Sequence, residues 1–175
     1  MSDQFLDNKL TENVPNRDSS VKVANGISVP IRVLILEDRP EDAELMLHEL
    51  RRSWFNPNFV RLETEAGYLA ALKSLPDVIL ADYCMPQLDA PRALELLQNL
   101  DLDIPFIVVA GSMGEDAAVA MMRQGATDYL LKDRLRRLGP AVRHALAEKR
   151  MREQKREGRA SPKSQRGTLL FLHEP

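Results

Sequence analysis

The chain of 175 residues has a single cysteine, Cys84. That excludes an intramolecular disulfide framework and any zinc site built from several thiolates. No apolar run approaches the ~20 residues that a membrane-spanning helix needs. The first residues, MSDQFLDNKLTENVPNRDSS, lack both the basic start and the apolar centre of a secretory signal. A cytoplasmic protein without membrane attachment is expected. The three histidines (His48, His144 and His173) are scattered with no ligand spacing. GSMG at positions 111–114 lacks the Gly-Lys-Ser/Thr ending that a phosphate-binding P-loop requires. There is no internal repeat.

What is present is ordinary in amount and uneven in placement. Apolar residues make up 44% of the chain, and the length suffices for one domain with a real core. The net charge of -2 hides an asymmetry: residues 1–131 carry 21 acidic and 11 basic side chains, whereas residues 132–166 carry 4 acidic and 13 basic. Such a block is either a solvated helix face or a surface for an acidic partner. The stretch from Lys149 to Arg166 has no aromatic residue for base stacking, so nucleic-acid binding is not the favoured reading.

Hydrophobic patterning divides the chain into three parts. Residues 1–29 are polar and aperiodic and read as a flexible arm. Residues 30–150 form the domain, and residues 151–175 a basic C-terminal extension expected to be disordered. Within the domain, strands are expected at Ile31–Leu36, weakly at Phe59–Glu63, then at Val78–Asp82, Ile104–Ala110 and Asp128–Leu131. Helices are expected from Pro40 with Ala43, Met46, Leu47, Leu50 and Trp54 at helical spacing, then over Ala66–Leu75, Pro91–Leu100 and Gly114–Gln124, and from Leu138 onward. Asn56-Pro57-Asn58 is read as the break after the first helix and Gly125 as the stop of the fourth. The last apolar stripe fades near Ala147, and the helix is expected to fray near Gly158. Trp54 and the pair Met121 and Met122 are assigned to the core. Strands alternating with helices imply a parallel sheet covered on both faces.

Four charged residues then stand at the carboxyl ends of strands, where ligands gather in open α/β sheets. Glu37 and Asp38 end the first strand, Asp82 the third, and Lys132 follows the fifth. Carboxylates converging on one cleft repel one another, and a hard divalent cation such as Mg²⁺ is the simplest remedy. A lysine across the cleft suits a phosphoryl oxygen or Asp82 itself. An exposed aspartate beside a metal can act as a nucleophile and carry an aspartyl-phosphate.

In VLILEDRPED, VILADYCMP and DYLLKD, in that order, the chain resembles the receiver domain of two-component response regulators over roughly residues 31–150. The resemblance implies a flavodoxin-like, doubly wound sheet of five parallel strands in the order 2-1-3-4-5 with five helices. It makes Asp82 the phosphoacceptor, Glu37 and Asp38 the acidic pair at a Mg²⁺ ion, and Cys84 the residue whose backbone carbonyl completes the metal site. Lys132 matches the phosphoryl-contacting lysine and Tyr129 the switch aromatic. Two positions depart from the family. Ala110 stands where a Ser or Thr hydroxyl is usual, and Asp133 where a cis-proline is usual. Ser112 lies two residues beyond Ala110, but Ser112-x-x-Glu115 reads better as a capping box for the following helix.

The function expected from this is that of a single-domain response regulator and not an enzyme. It would take a phosphoryl group on Asp82 from a sensor histidine kinase or a phosphotransfer protein. Some 25 residues follow the domain, too few for a DNA-binding output module, so output would pass to a downstream protein effector or through a homodimer formed by the last helices. The alternative is a receiver-like interaction module that phosphorylation does not switch, with Ala110 as its motive. A hydrolase of the aspartyl-nucleophile kind is disfavoured, because the second acid needed two residues after the nucleophile is Cys84.

Overall fold

A computed structural model describes residues 28–111 and 115–160. The elements run β1 (Val29–Leu36), α1 (Pro40–Arg52), β2 (Phe55–Leu62), α2 (Glu65–Leu72), β3 (Val78–Asp82), α3 (Ala90–Asn99), β4 (Phe106–Ala110), α4 (Glu115–Arg123), β5 (Asp128–Leu131), a short 3-10 helix (Lys132–Arg137) and α5 (Leu138–Ala160). All five strands are parallel, in the order β2-β1-β3-β4-β5. This is the flavodoxin-like α/β architecture.

The period-two alternation of the central strands makes two cores from one sheet. Val33, Ile35, Val78, Leu80, Ile107 and Val109 point to one face, against Met46, Leu47 and Leu50 of α1 and Leu138, Val142 and Ala145 of α5. Leu34, Leu36, Ile79, Ala81, Phe106 and Val108 point to the other, against Tyr68 of α2, Leu94 and Leu97 of α3 and Met121 of α4. Buried on both faces, β3 and β4 read as near-continuous apolar runs, as parallel central strands do. The Tyr68 hydroxyl is satisfied by donating to the Ala93 carbonyl at 3.1 Å.

Several boundaries differ from those the sequence suggests. Val29 belongs to the sheet and not to the arm: its N–H donates to the Trp54 carbonyl at 2.8 Å and it pairs with Phe55. β2 begins at Phe55, so Asn56-Pro57-Asn58 lies inside a strand. The strand is at the sheet's edge, where a proline's missing donor is tolerated. What ends α1 is Trp54, at φ 65°, which leaves its ring 59% exposed instead of in the core. Met122 is likewise 41% exposed, while its neighbour Met121 is buried. Thr64 caps α2 and Asp89 caps α3 through bonds from Gly67 N and Arg92 N. Gly125, at φ 104°, stops α4 as expected.

Residues 151–160, counted with the C-terminal extension, form the last three turns of α5, which runs two residues past the fraying expected near Gly158. The stretch is rich in Arg, Lys, Glu and Gln, which are good helix formers, and it extends a helix already nucleated by packing. Arg152 also forks onto Asp103 with bonds of 2.9–3.2 Å, and Arg156 stands 3.6 Å from the same carboxylate. Among the described residues no helix is long and apolar enough to cross a membrane. The arm through residue 27, the Ser112 cap and the residues beyond 160 lie outside the described residues.

Candidate functional site

The site is built on the carboxyl ends of β1 and β3, which are neighbours in the sheet, and of β5, which lies beyond β4 on the same edge. Glu37 follows β1 and is wholly buried, Asp82 closes β3 and is 8% exposed, and Asp38 between β1 and α1 is half-buried. One oxygen from each of these three carboxylates lies within 4.8 Å of the others. The three hard oxygen donors suit a divalent cation such as Mg²⁺, which takes one or two carboxylates and keeps waters elsewhere.

Lys132 reaches into this group from the start of the 3-10 helix. Its Nζ lies 2.7 Å from Glu37 Oε2, 2.7 Å from Asp42 Oδ2 and 3.4 Å from Asp82 Oδ1. Asp42, in the first turn of α1, has no place among the expected site residues. Its acidity is accounted for at sequence level by the helix N-terminus alone, and nothing local links it to a lysine 90 residues away. A second unforeseen participant is Arg61 of β2. Its Nη1 donates to the carbonyls of Glu37 at 2.8 Å and Asp38 at 3.3 Å, and pairs with Glu63 at 2.6 Å. Arg61 thereby pins the turn that carries both acids.

Burial governs the electrostatics. It pushes the carboxyl groups of Glu37 and Asp82 above their ordinary range. The Lys132 ammonium opposes this in both, aided by the N–H of Arg39 on Glu37 and of Tyr83 on Asp82. Burial alone would lower Lys132, but its hydrogen bonds to Asp42 and Glu37 outweigh that and raise it, so the ammonium stays charged.

The other expected residues are positioned as follows. Cys84 is exposed in the turn after β3. Ala110 is buried at the end of β4, paired in register with Leu131, and offers only a methyl group. Tyr129 is half-buried on β5 and lines a shallow groove of about 500 Å³ with Ala118, Val119, Met122 and Arg123 of α4. After Lys132 the chain enters the 3-10 helix directly through Asp133, and every peptide bond among the described residues is trans.

Residues 33–143 match the family of the response regulator receiver domain. The chain belongs to that family. The receiver is 32% identical over 107 residues to the transcriptional regulatory protein PrrA of Mycobacterium leprae, an alignment covering 61% of this chain and 45% of PrrA. It is similar in structure to the Mn²⁺-bound form of the response regulator Rcp1, with 29% identity, a TM-score of 0.54, and 66% of this chain and 91% of that one covered. A receiver domain protein from Clostridium thermocellum shares the fold at 20% identity and a TM-score of 0.61, covering 69% of this chain and 98% of that one. The chain spans less than half the length of the curated relatives it matches.

Proposed function

We propose that this receiver accepts a phosphoryl group on Asp82 from the phosphohistidine of a sensor kinase or phosphotransfer protein. The observation that carries the reading is the convergence of Glu37, Asp38 and Asp82 within 4.8 Å, with the Lys132 ammonium 3.4 Å from the Asp82 carboxylate. Asp82 supplies the nucleophilic oxygen. An O–P bond forms as the donor's P–N bond breaks, and the departing imidazole keeps the electron pair and takes up a proton. Lys132 contacts an equatorial oxygen of the transferred group. Glu37, Asp38, Asp82 and the Cys84 carbonyl would hold Mg²⁺, which when bound supplies charge that screens the acids and neutralises phosphoryl oxygens. Arg61 keeps Glu37 and Asp38 in register for that role.

One phosphoryl group is accepted per chain, so the protein acts as a cytoplasmic signal carrier and not as an enzyme. Its output is a protein contact, either with a downstream effector or with a second copy through the last helices. Neither nucleic acid nor membrane is needed for it. Phosphotransfer profiling against histidine kinases of the source organism tests the reading. One kinase is expected to transfer label to the wild-type chain and none to Asp82→Asn. Label on the Asp82→Asn chain would contradict it.

Ala110 favours a second reading, in which the same fold serves as an interaction module that phosphate does not switch. Beryllofluoride with Mg²⁺ separates the two. Shifts of the Tyr129 ring resonances favour the switch, and an adduct at Asp82 that leaves them unmoved favours the module.

A further inference from the structure

Lys132 is held by a carboxylate for which the phosphoacceptor chemistry has no use. Asp42 accepts a hydrogen bond from Nζ at the same 2.7 Å as Glu37, a charge-assisted length, whereas Asp82 stands further off at 3.4 Å. An ammonium has three donors and no acceptor, so two of the three are committed to acids other than Asp82. Asp42 differs from the other acids around Nζ in its origin. Glu37 and Asp82 come from strand ends and belong to the converging cluster, while Asp42 is carried by α1 and lies outside it. The Lys132–Asp42 pair is thus a bond between β5's carboxyl end and the first turn of α1. Both side chains are largely covered, and solvent screens the pair little.

Two further observations give this bond a direction. First, Ala110 removes the hydroxyl that would otherwise report on the phosphoryl group from β4, leaving Lys132 as the described side chain placed to do so. Second, Asp42 has another cation at hand. Arg39 Nη1 lies 3.8 Å from the same Oδ2 atom, on an exposed side chain free to close the gap. Surrendering Lys132 therefore does not leave Asp42 unpaired. A phosphoryl group brings close to two negative charges and three strong acceptors to the edge of Nζ's reach, and competes for that ammonium.

We propose that Asp42 is a positioning residue that holds Lys132 in the unphosphorylated chain and yields it to the phosphoryl group on Asp82, so that the first turn of α1 registers phosphorylation. This rests on the phosphoacceptor reading above. The bond from Lys132 to Asp42 opens, Asp42 turns to Arg39, and α1 is released from the carboxyl end of β5.

The test uses the full chain with acetyl phosphate and Mg²⁺, and with beryllofluoride as the stable mimic. Asp42→Asn keeps the shape and removes the charge. Phosphoryl uptake is expected to quicken about three- to tenfold, since one charge-assisted hydrogen bond no longer competes for the ammonium. Asp42→Glu is expected to restore the slower rate. In the wild-type chain the Asp42 carboxyl ¹³C resonance is expected to shift when beryllofluoride binds, together with the Lys132 ammonium resonance. A residue that only stabilises the start of α1 would show neither shift. Uptake at the same rate in wild type and Asp42→Asn, or an Asp42 resonance indifferent to beryllofluoride, overturns this inference and spares the phosphoacceptor reading. A wild-type chain that takes up no phosphoryl group overturns both.

Discussion

At the scale of single residues, Glu37 and Asp82 are carboxylates held where burial opposes their charge. Both are raised by that burial, against the pull of Lys132. A group raised in the folded state contributes stability in full below its unfolded pKa, here 4.5 for Glu37 and 3.8 for Asp82, and loses it as pH rises through the folded value. Above the folded value that contribution is gone, and the cluster is a site of repulsion. Lys132, also raised, keeps its own contribution until pH climbs past 10.5. Mg²⁺ is therefore expected to stabilise the chain more at pH 7 than at pH 5, where protons compete for the same oxygens. At ten times its Kd the gain at pH 7 is about 1.4 kcal/mol, or on the order of 4 °C in Tm. Thermal melts with Mg²⁺ and with EDTA at both pH values check this, and equal shifts at the two would contradict it.

The same residues mark what sequence could reach. Glu37, Asp38, Asp82 and Lys132 were legible because apolar runs stop abruptly at or just before them, which puts them at strand ends. Asp42 and Arg61 were not. Asp42 has a sufficient local explanation as an acid at a helix start, and Arg61 sits in a strand whose pattern is weak. Their roles come from neighbours in space, and one sequence carries no trace of those.

At the scale of elements, α5 is held, besides its buried stripe, by two further contacts of unlike strength. Near its start it crosses the turn after α1, where Gly139 lies so close to Ser53 that an added Cβ would overlap that residue's Cβ and Oγ. Arg143 reinforces the crossing by donating to the Ser53 carbonyl at 2.8 Å and lying 5.8 Å over the Phe55 ring. Gly139→Ala is expected to cost about 1–3 kcal/mol by overpacking, measured as a lower denaturant midpoint at unchanged m. Ser53→Gly in the same chain should recover most of it. Farther along, the Arg152–Asp103 fork is half-exposed and stabilises by less than about 1 kcal/mol. Arg152 holds the Asp103 carboxyl below its usual range, so that small contribution is present at neutral pH and is lost only as pH falls below 3.8. Asp103→Ala should leave Tm nearly unchanged yet speed amide exchange across residues 152–160. Unchanged exchange would show that the helix there needs no anchor.

Element type was readable from periodicity nearly everywhere. The failures share a cause. β2 is an edge strand whose Phe59 and Val60 are exposed, so its pattern reads only weakly and only from Phe59, and Pro57 argues against the earlier start at Phe55. Residues 151–159 of α5 are exposed all round, with no apolar stripe to read. Trp54 looked like the next step of the α1 stripe, but the helix had already turned out of register at that residue.

At the scale of the whole molecule, the charge asymmetry takes on a shape. The acidic residues that matter gather at the carboxyl edge of the sheet, while the basic ones follow the 3-10 helix and α5 away from it. The site that would receive a phosphoryl group and the surface that would pass on its effect are thus connected by Lys132 and the elements next to it. Everything proposed for the protein depends on Asp82 being the residue modified. The direct measurement is the intact mass of the wild-type and Asp82→Asn chains after incubation with acetyl phosphate and Mg²⁺, with tryptic mapping of any adduct. The account predicts one added phosphoryl group on the wild-type chain, located at Asp82, lost in alkali and absent from Asp82→Asn. No adduct on the wild-type chain, or one that persists in Asp82→Asn, would contradict it.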